Sequence, residues 1–244
     1  MANNIWRYIT GTLRFFLLDF GIAQLLRVFQ TKRGDTLEVR LPHLPDTLKI
    51  RPTKADVLVL WQTFGLNQCV LTHVSSPQLI VDAGANIGCT ALFFAKTYPK
   101  AAIVAVEPDV QNAELARRNC RTYPNVRIVE GAVWNQAKML EIENPDGESW
   151  AFRMRERSIE ETSEGIRGYT IDELSNGATI DVLKVDIEGG EQQLFQYDTH
   201  WLARVQTMLV EVHGKECRNA VAQAAQQEAF RVLPPQGEYV VYAR

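Results

Sequence analysis

"LIVDAGANIGCT", residues 79–90, sets a short apolar run and an acid before a loop of small residues, and runs straight into "ALFFAKTYP". This reads as a buried strand ending in the carboxylate of Asp82, a turn through Gly84, Ala85, Asn86, Ile87 and Gly88, and then a helix. The same alternation continues downstream. "AAIVAVEPD" leads into "VQNAELARRNCRTY", and "VRIVEGAV", "IDVLKVDIEGGEQQLF" and "VQTMLVEVHG" follow. Apolar strands alternating with helices predict an α/β fold with a doubly wound, mostly parallel sheet covered on both faces.

In such a sheet, ligands sit outside the carboxyl ends of the strands at the switch point, which is where the quoted loop lies. A nicotinamide-binding loop would read G-x-G-x-x-G so that backbone can approach a diphosphate. Here Asn86 replaces the middle glycine, and Asp82 stands where a diphosphate would be repelled. A cofactor with a cationic end is the better partner, and S-adenosylmethionine fits. Asp82 would hold its amino end, directly or through water, with Gly84, Asn86 and Gly88 beside the methionyl half. Glu107 ends the next strand, 25 positions after Asp82, and is placed to accept hydrogen bonds from a ribose diol. As a strand-tip acid it is expected to matter little for folding. Glu130, Gly131 and Ala132, at the tip of the third strand, would flank adenine.

"VDAGANIGCTALFFA", "VEPDVQNAELARRN", "TIDEL" (170–174), "IDVLKVDIEGGE" (180–191) and "VEVHG" (210–214) together resemble the FkbM-type S-adenosylmethionine-dependent methyltransferases. The most specific part is the ordered pair D-x-G-A-N-x-G and K-x-D-x-E-G-x-E. The resemblance implies a Rossmann-like, seven-stranded class I methyltransferase fold over residues 47–244, and O-methylation of a hydroxyl on a sugar, polyketide or other small metabolite or glycan. Cys89-Thr90 departs from the aromatic or serine residues more usual there.

Lys184, Asp186 and Glu188 alternate along one strand, so Asp186 is expected on the crevice side, with Lys184 neutralising it. Glu211 and His213 alternate in the same way at the tip of "TMLVEVHG". Asp186, His213 and Glu211 are therefore the candidates for taking a hydroxyl proton. A divalent ion held by these three is the alternative, but their motif is not a metal-ligand signature, so no metal site is assigned. Gly189-Gly190 would open the next helix, with Glu191 favoured in its first turn by the helix dipole.

Composition narrows the function classes. The 244 residues are 46% hydrophobic and 23% charged, with net charge −3. That balance argues against a protein whose main task is holding nucleic acid. Cys69, Cys89, Cys120 and Cys217 lack zinc spacing and read as reduced, buried thiols of a cytoplasmic protein.

Residues 1–46 read as an N-terminal helical cap with short strands. Asn3, Arg7, Thr10 and Arg14 share one helical face, with breaks near Gly11 or Gly21. Arg7, Arg14, Asp19 and Arg27 interrupt the apolar run, so neither a membrane span nor a signal peptide is expected. The cap reading leads, with homodimer contact and then membrane-surface contact as alternatives. A hairpin around Asn144 to Gly147, bearing Trp150 and Phe152, would bound the substrate entrance together with the N-terminal helices. "FRVLPPQGEYVVYAR" reads as a second hairpin turning at Pro234 to Gly237, with an antiparallel C-terminal strand at the sheet edge. Two other functions stay open: a nicotinamide-dependent oxidoreductase, and a non-catalytic scaffold keeping the fold.

Overall fold

The computed structural model describes residues 10–32, 34–42, 44, 47–144, 152–157 and 165–244. Asn3, Arg7, Trp150 and the tip of the first hairpin lie outside them. Residues 10–14 are helical and continue into a π-helical turn, Phe15–Asp19. Gly21, at φ 80°, breaks the path before α1 (Ile22–Gln30). β1 (Leu37–Val39) pairs antiparallel with β2 (Leu48–Ile50). α2 (Lys54–Leu60) is capped by Thr53, which accepts from the Asp56 amide, and runs on into a second π-helical turn, Trp61–Gly65.

The main alternation follows: β3 (Leu79–Ala83), α3 (Cys89–Thr97), β4 (Ala102–Glu107), α4 (Val110–Asn119) and β5 (Val126–Glu130). An insertion carries β6 (Ala132–Val133), β7 (Met139–Ile142), β8 (Met154–Glu156) and β9 (Ile166–Tyr169), in the order β6-β9-β7-β8. The expected hairpin is the antiparallel β7–β8 pair. The chain then returns through α5 (Ile171–Ser175), β10 (Ile180–Val185), α6 (Glu191–Gln196), β11 (Val205–Glu211), α7 (Lys215–Gln227), β12 (Arg231–Gln236) and β13 (Tyr239–Ala243).

The seven-stranded sheet has the order β12-β13-β11-β10-β3-β4-β5. β3 therefore has β4 on one side and β10 on the other, and this is the switch point. Residues alternate between two cores. Ile80, Ile103, Val182 and Leu209 face the N-terminal segment, α3 and α4. Val81, Val104, Leu183 and Met208 face α5, α6 and α7. The doubly wound, mostly parallel sheet read from the sequence is present.

One detail differs. The antiparallel strand β13 is not the edge; it lies between β11 and β12, antiparallel to both. Proline explains the exchange. Pro234 and Pro235 lie within β12 rather than in the turn, and a strand that cannot donate at two positions belongs outermost. "YVVYA" has no such defect and is largely buried.

Candidate active site

β3, β4, β10 and β11 end around one cavity of ≈ 730 Å³. Gly84, Asn86, Glu107, Ala132, Asp186, Glu211 and His213 all line it, so most of the candidate residues are brought together. Asn86 and Glu188, both in the wall, hold left-handed backbone at φ 49° and 52°. Such strain at non-glycine residues clusters at functional sites.

Glu107 anchors one end. Its carboxylate accepts from the Asn86 amide at 2.7 Å, the Asp109 amide at 3.1 Å and Asn112 Nδ2 at 3.1 Å. Burial pushes its pKa up to about 7 despite those donors. The expectation that it matters little for folding is therefore corrected, because it ties the β3 loop to the start of α4. Asn112 was not singled out in the sequence. It is buried, its Oδ1 has no partner, and it lines the cavity beside Glu107. The only signal available was its place in the first turn of the helix after "VEPD".

The other end is acidic. His213 Nδ1 lies 2.9 Å from Glu191, and its Nε2 lies 3.4 Å from Glu188, 3.7 Å from Glu211 and 4.0 Å from Asp186. Burial opposes charge on the imidazole, but the Glu191 bond and the carboxylates of Glu191, Glu188 and Asp186 outweigh it and hold the pKa near 9. A histidine titrating near 6.5, the ordinary value for a base, is thus not what the site provides. Burial, together with the charges of Asp186 and Glu238, raises Glu211 to about 8, and burial raises Glu188 to about 7. Asp186, Glu211 and His213 each place one donor atom within 4.8 Å of the others, a spacing that also admits a divalent ion. Glu191 is more than a helix-dipole partner. It is fully buried, and besides His213 it accepts from the Gly189 amide at 3.1 Å.

Four expected cofactor contacts do not reach the cavity. Asp82 is fully buried, with Lys184 opposite it in register and Nζ 3.1 Å from its carboxylate. The same Nζ donates to the Gly84 carbonyl at 2.6 Å and lies 3.5 Å from Asp186. Lys184 therefore neutralises Asp82 first and Asp186 second. Gly88 is a packing residue: a Cβ there would meet Ala116 at 3.0 Å. Glu130 turns outward to Arg117 at 2.9 Å. Gly131 is covered by Arg167 and Tyr169 of β9. Gly84 does line the cavity, yet what demands glycine is the Asp186 carbonyl, 1.7 Å from where a Cβ would stand at φ 82°.

The substrate side also differs in part. Phe152 and Met154 do line the cavity, but among the described residues Pro52, Thr53, Lys54, Ala55, Leu58, Val59 and Gln62 join them there, and none from the N-terminal helices does. All four cysteines are free and buried.

The Methyltransferase FkbM domain matches residues 82–230, which hold every strand tip just described. The chain belongs to the FkbM methyltransferase family. Among curated proteins, methyltransferase sdnD of Sordaria araneosa is 26% identical over 189 residues, 61% of this chain and 72% of that one. Among solved structures, a putative caffeoyl-CoA O-methyltransferase from Staphylococcus aureus is 13% identical with a TM-score of 0.43, covering 77% of this chain and 81% of that one. Aeropyrum pernix fibrillarin, in complex with natively bound S-adenosyl-L-methionine, is 10% identical with a TM-score of 0.43, covering 70% and 69%. The FkbM match takes in both motifs singled out in the sequence, from Asp82 to Glu191.

Proposed function

We propose that this FkbM-family chain transfers a methyl group from S-adenosylmethionine to a hydroxyl oxygen of a small metabolite or glycan. The polarity of the cavity carries this reading. Glu107 and the unpartnered Asn112 Oδ1 suit the uncharged, hydroxyl-bearing end of a nucleoside. Asp186, Glu188 and Glu211 at the other end suit a cation. S-adenosylmethionine has this division, whereas a dinucleotide would bring a diphosphate toward three carboxylates. When bound, it supplies a methyl already activated on a sulfonium.

The chain's own tasks are then alignment, exclusion of water and proton handling. Glu107, held in place by three donors, accepts from the ribose diol with its remaining lone pairs. Ala132, Val133 and Trp134 give the purine an apolar wall. Asp186 at the β10 tip takes the hydroxyl proton, and Glu211 shares its side of the cavity. His213, charged near neutrality, steadies both carboxylates and serves as base itself only as pH approaches 9.

Titration calorimetry with S-adenosylhomocysteine and NADH tests the cofactor. Binding of the first and not the second is expected, and the reverse overturns the reading in favour of an oxidoreductase. Methyl-labelled cofactor with fractionated extract tests the acceptor, where an alkali-stable ether is the expected product. A second reading, divalent-ion assistance, rests on the 4.8 Å donor set. It is retained only if chelator abolishes transfer and added ion restores it.

A further inference from the structure

Ten large hydrophobic side chains are exposed among the described residues, and six of them, Leu13, Leu17, Leu18, Ile22, Leu26 and Phe29, fall within one short N-terminal stretch. The remaining four are scattered, so these six are a patch rather than background. Ile22, Leu26 and Phe29 stand at i, i+4 and i+7 of α1, one stripe of a helix whose other side buries Val28. Phe29 is 78% exposed and Leu18 73%.

The patch is firmly mounted. Phe15 and Phe20 are buried and stack at 5.7 Å, and Phe16 approaches Trp61 at 6.4 Å. Gln24 exchanges two hydrogen bonds with the Arg40 backbone, at 2.8 and 2.6 Å. The inner face is therefore committed to the domain and the outer face is left over.

Charge identifies what covers it. Of the chain's 26 bases, five lie in the first 33 residues, and of its 29 acids only Asp19 does, so the remainder carries net −7. Arg14, Arg27 and Lys32 are exposed beside the apolar stripe. We infer that this N-terminal face docks on an anionic bilayer surface, with the apolar stripe in the headgroup boundary and the cations on the phosphates. Because the remainder of the chain is net acidic, such a surface favours approach by this basic end. A second copy of the chain fits less well, since a two-fold contact would bring the same basic set against itself. None of the described helices is long and apolar enough to cross a membrane, so the contact is interfacial.

Vesicle sedimentation of the full chain, without cofactor, tests this independently of the methylation reading. The chain should pellet with phosphatidylserine-containing vesicles and stay in solution with pure phosphatidylcholine. Leu26→Asp and Phe29→Asp, both on the exposed stripe, should each lower partitioning by at least about tenfold. Arg27→Glu should lower it by more than about fivefold. Circular dichroism of the variants should match the parent. Absence of pelleting, equal pelleting with neutral lipid, or a dimer that Phe29→Asp splits into monomers would each overturn the assignment.

Discussion

Asp186 is the residue on which the chemistry turns. General-base catalysis is worth about 10²–10⁴-fold, so Asp186→Asn should cut turnover by that order, while calorimetric cofactor affinity falls by less because Glu188 and Glu211 remain at the cationic end. Glu191 acts on His213 rather than on substrate. A hydrogen bond to a charged group contributes about 1.5–3 kcal/mol, so Glu191→Gln should lower the His213 pKa by about one to two units from near 9. The sign follows from the removed carboxylate, which favours the imidazolium. An unmoved histidine resonance in an NMR titration would remove Glu191 from this role. Glu107→Ala strands three donors and should destabilise the fold by about 3 kcal/mol or more, read by urea denaturation. Strand alternation made Asp186, Glu211 and His213 legible, because tip residues on one side meet at the crevice. It did not decide Asp82 or Glu130. Each is at a strand tip too, but Lys184 claims one and Arg117 draws the other outward, and those partners come from other elements.

Elements place these tips. The β3 loop passes so close to the end of β10 that Gly84→Ala, with left-handed backbone and a carbonyl in the way, should cost more than about 3 kcal/mol and lower the denaturation midpoint accordingly. Asp109 caps α4 by accepting from the Asn112 amide at 2.8 Å. Asp109→Ala should cost about 0.5–2 kcal/mol and loosen cofactor binding by freeing Asn112. The strands of the main sheet and the helices α3, α4 and α6 were legible, since long apolar alternation leaves little choice of period, whereas α5 and α7 were not read from the sequence. β6 and β9 were not, because two to four residues of ordinary composition carry no period to read. The exchange of β12 and β13 was missed for a different reason: a hairpin's sequence fixes which strands pair with each other, not which one faces the rest of the sheet.

At the scale of the molecule, the cavity buries acids at both of its ends. Glu107, Glu188 and Glu211 sit at about 7, 7 and 8 against an ordinary 4.5, and His213 at about 9 against 6.5. All four are raised in the folded state, so each contributes stability that is complete below its ordinary value and lost as pH climbs through the raised one. Without cofactor, the melting temperature should fall from about pH 5 to about pH 9, and Glu211→Gln should flatten the upper part of that decline. A flat profile would mean that these groups are better solvated than their burial indicates. The order β11-β13-β12 also bears on synthesis at the ribosome. β12 emerges before β13 yet has no place in the sheet until β13 lies beside β11, so the nascent chain carries the open flank of β11, with Met208, Leu209 and Val210, until residues 239–243 are free. A release at Gln236 would leave that flank permanently unpaired, a template for edge-to-edge aggregation that the finished sheet closes with two proline residues.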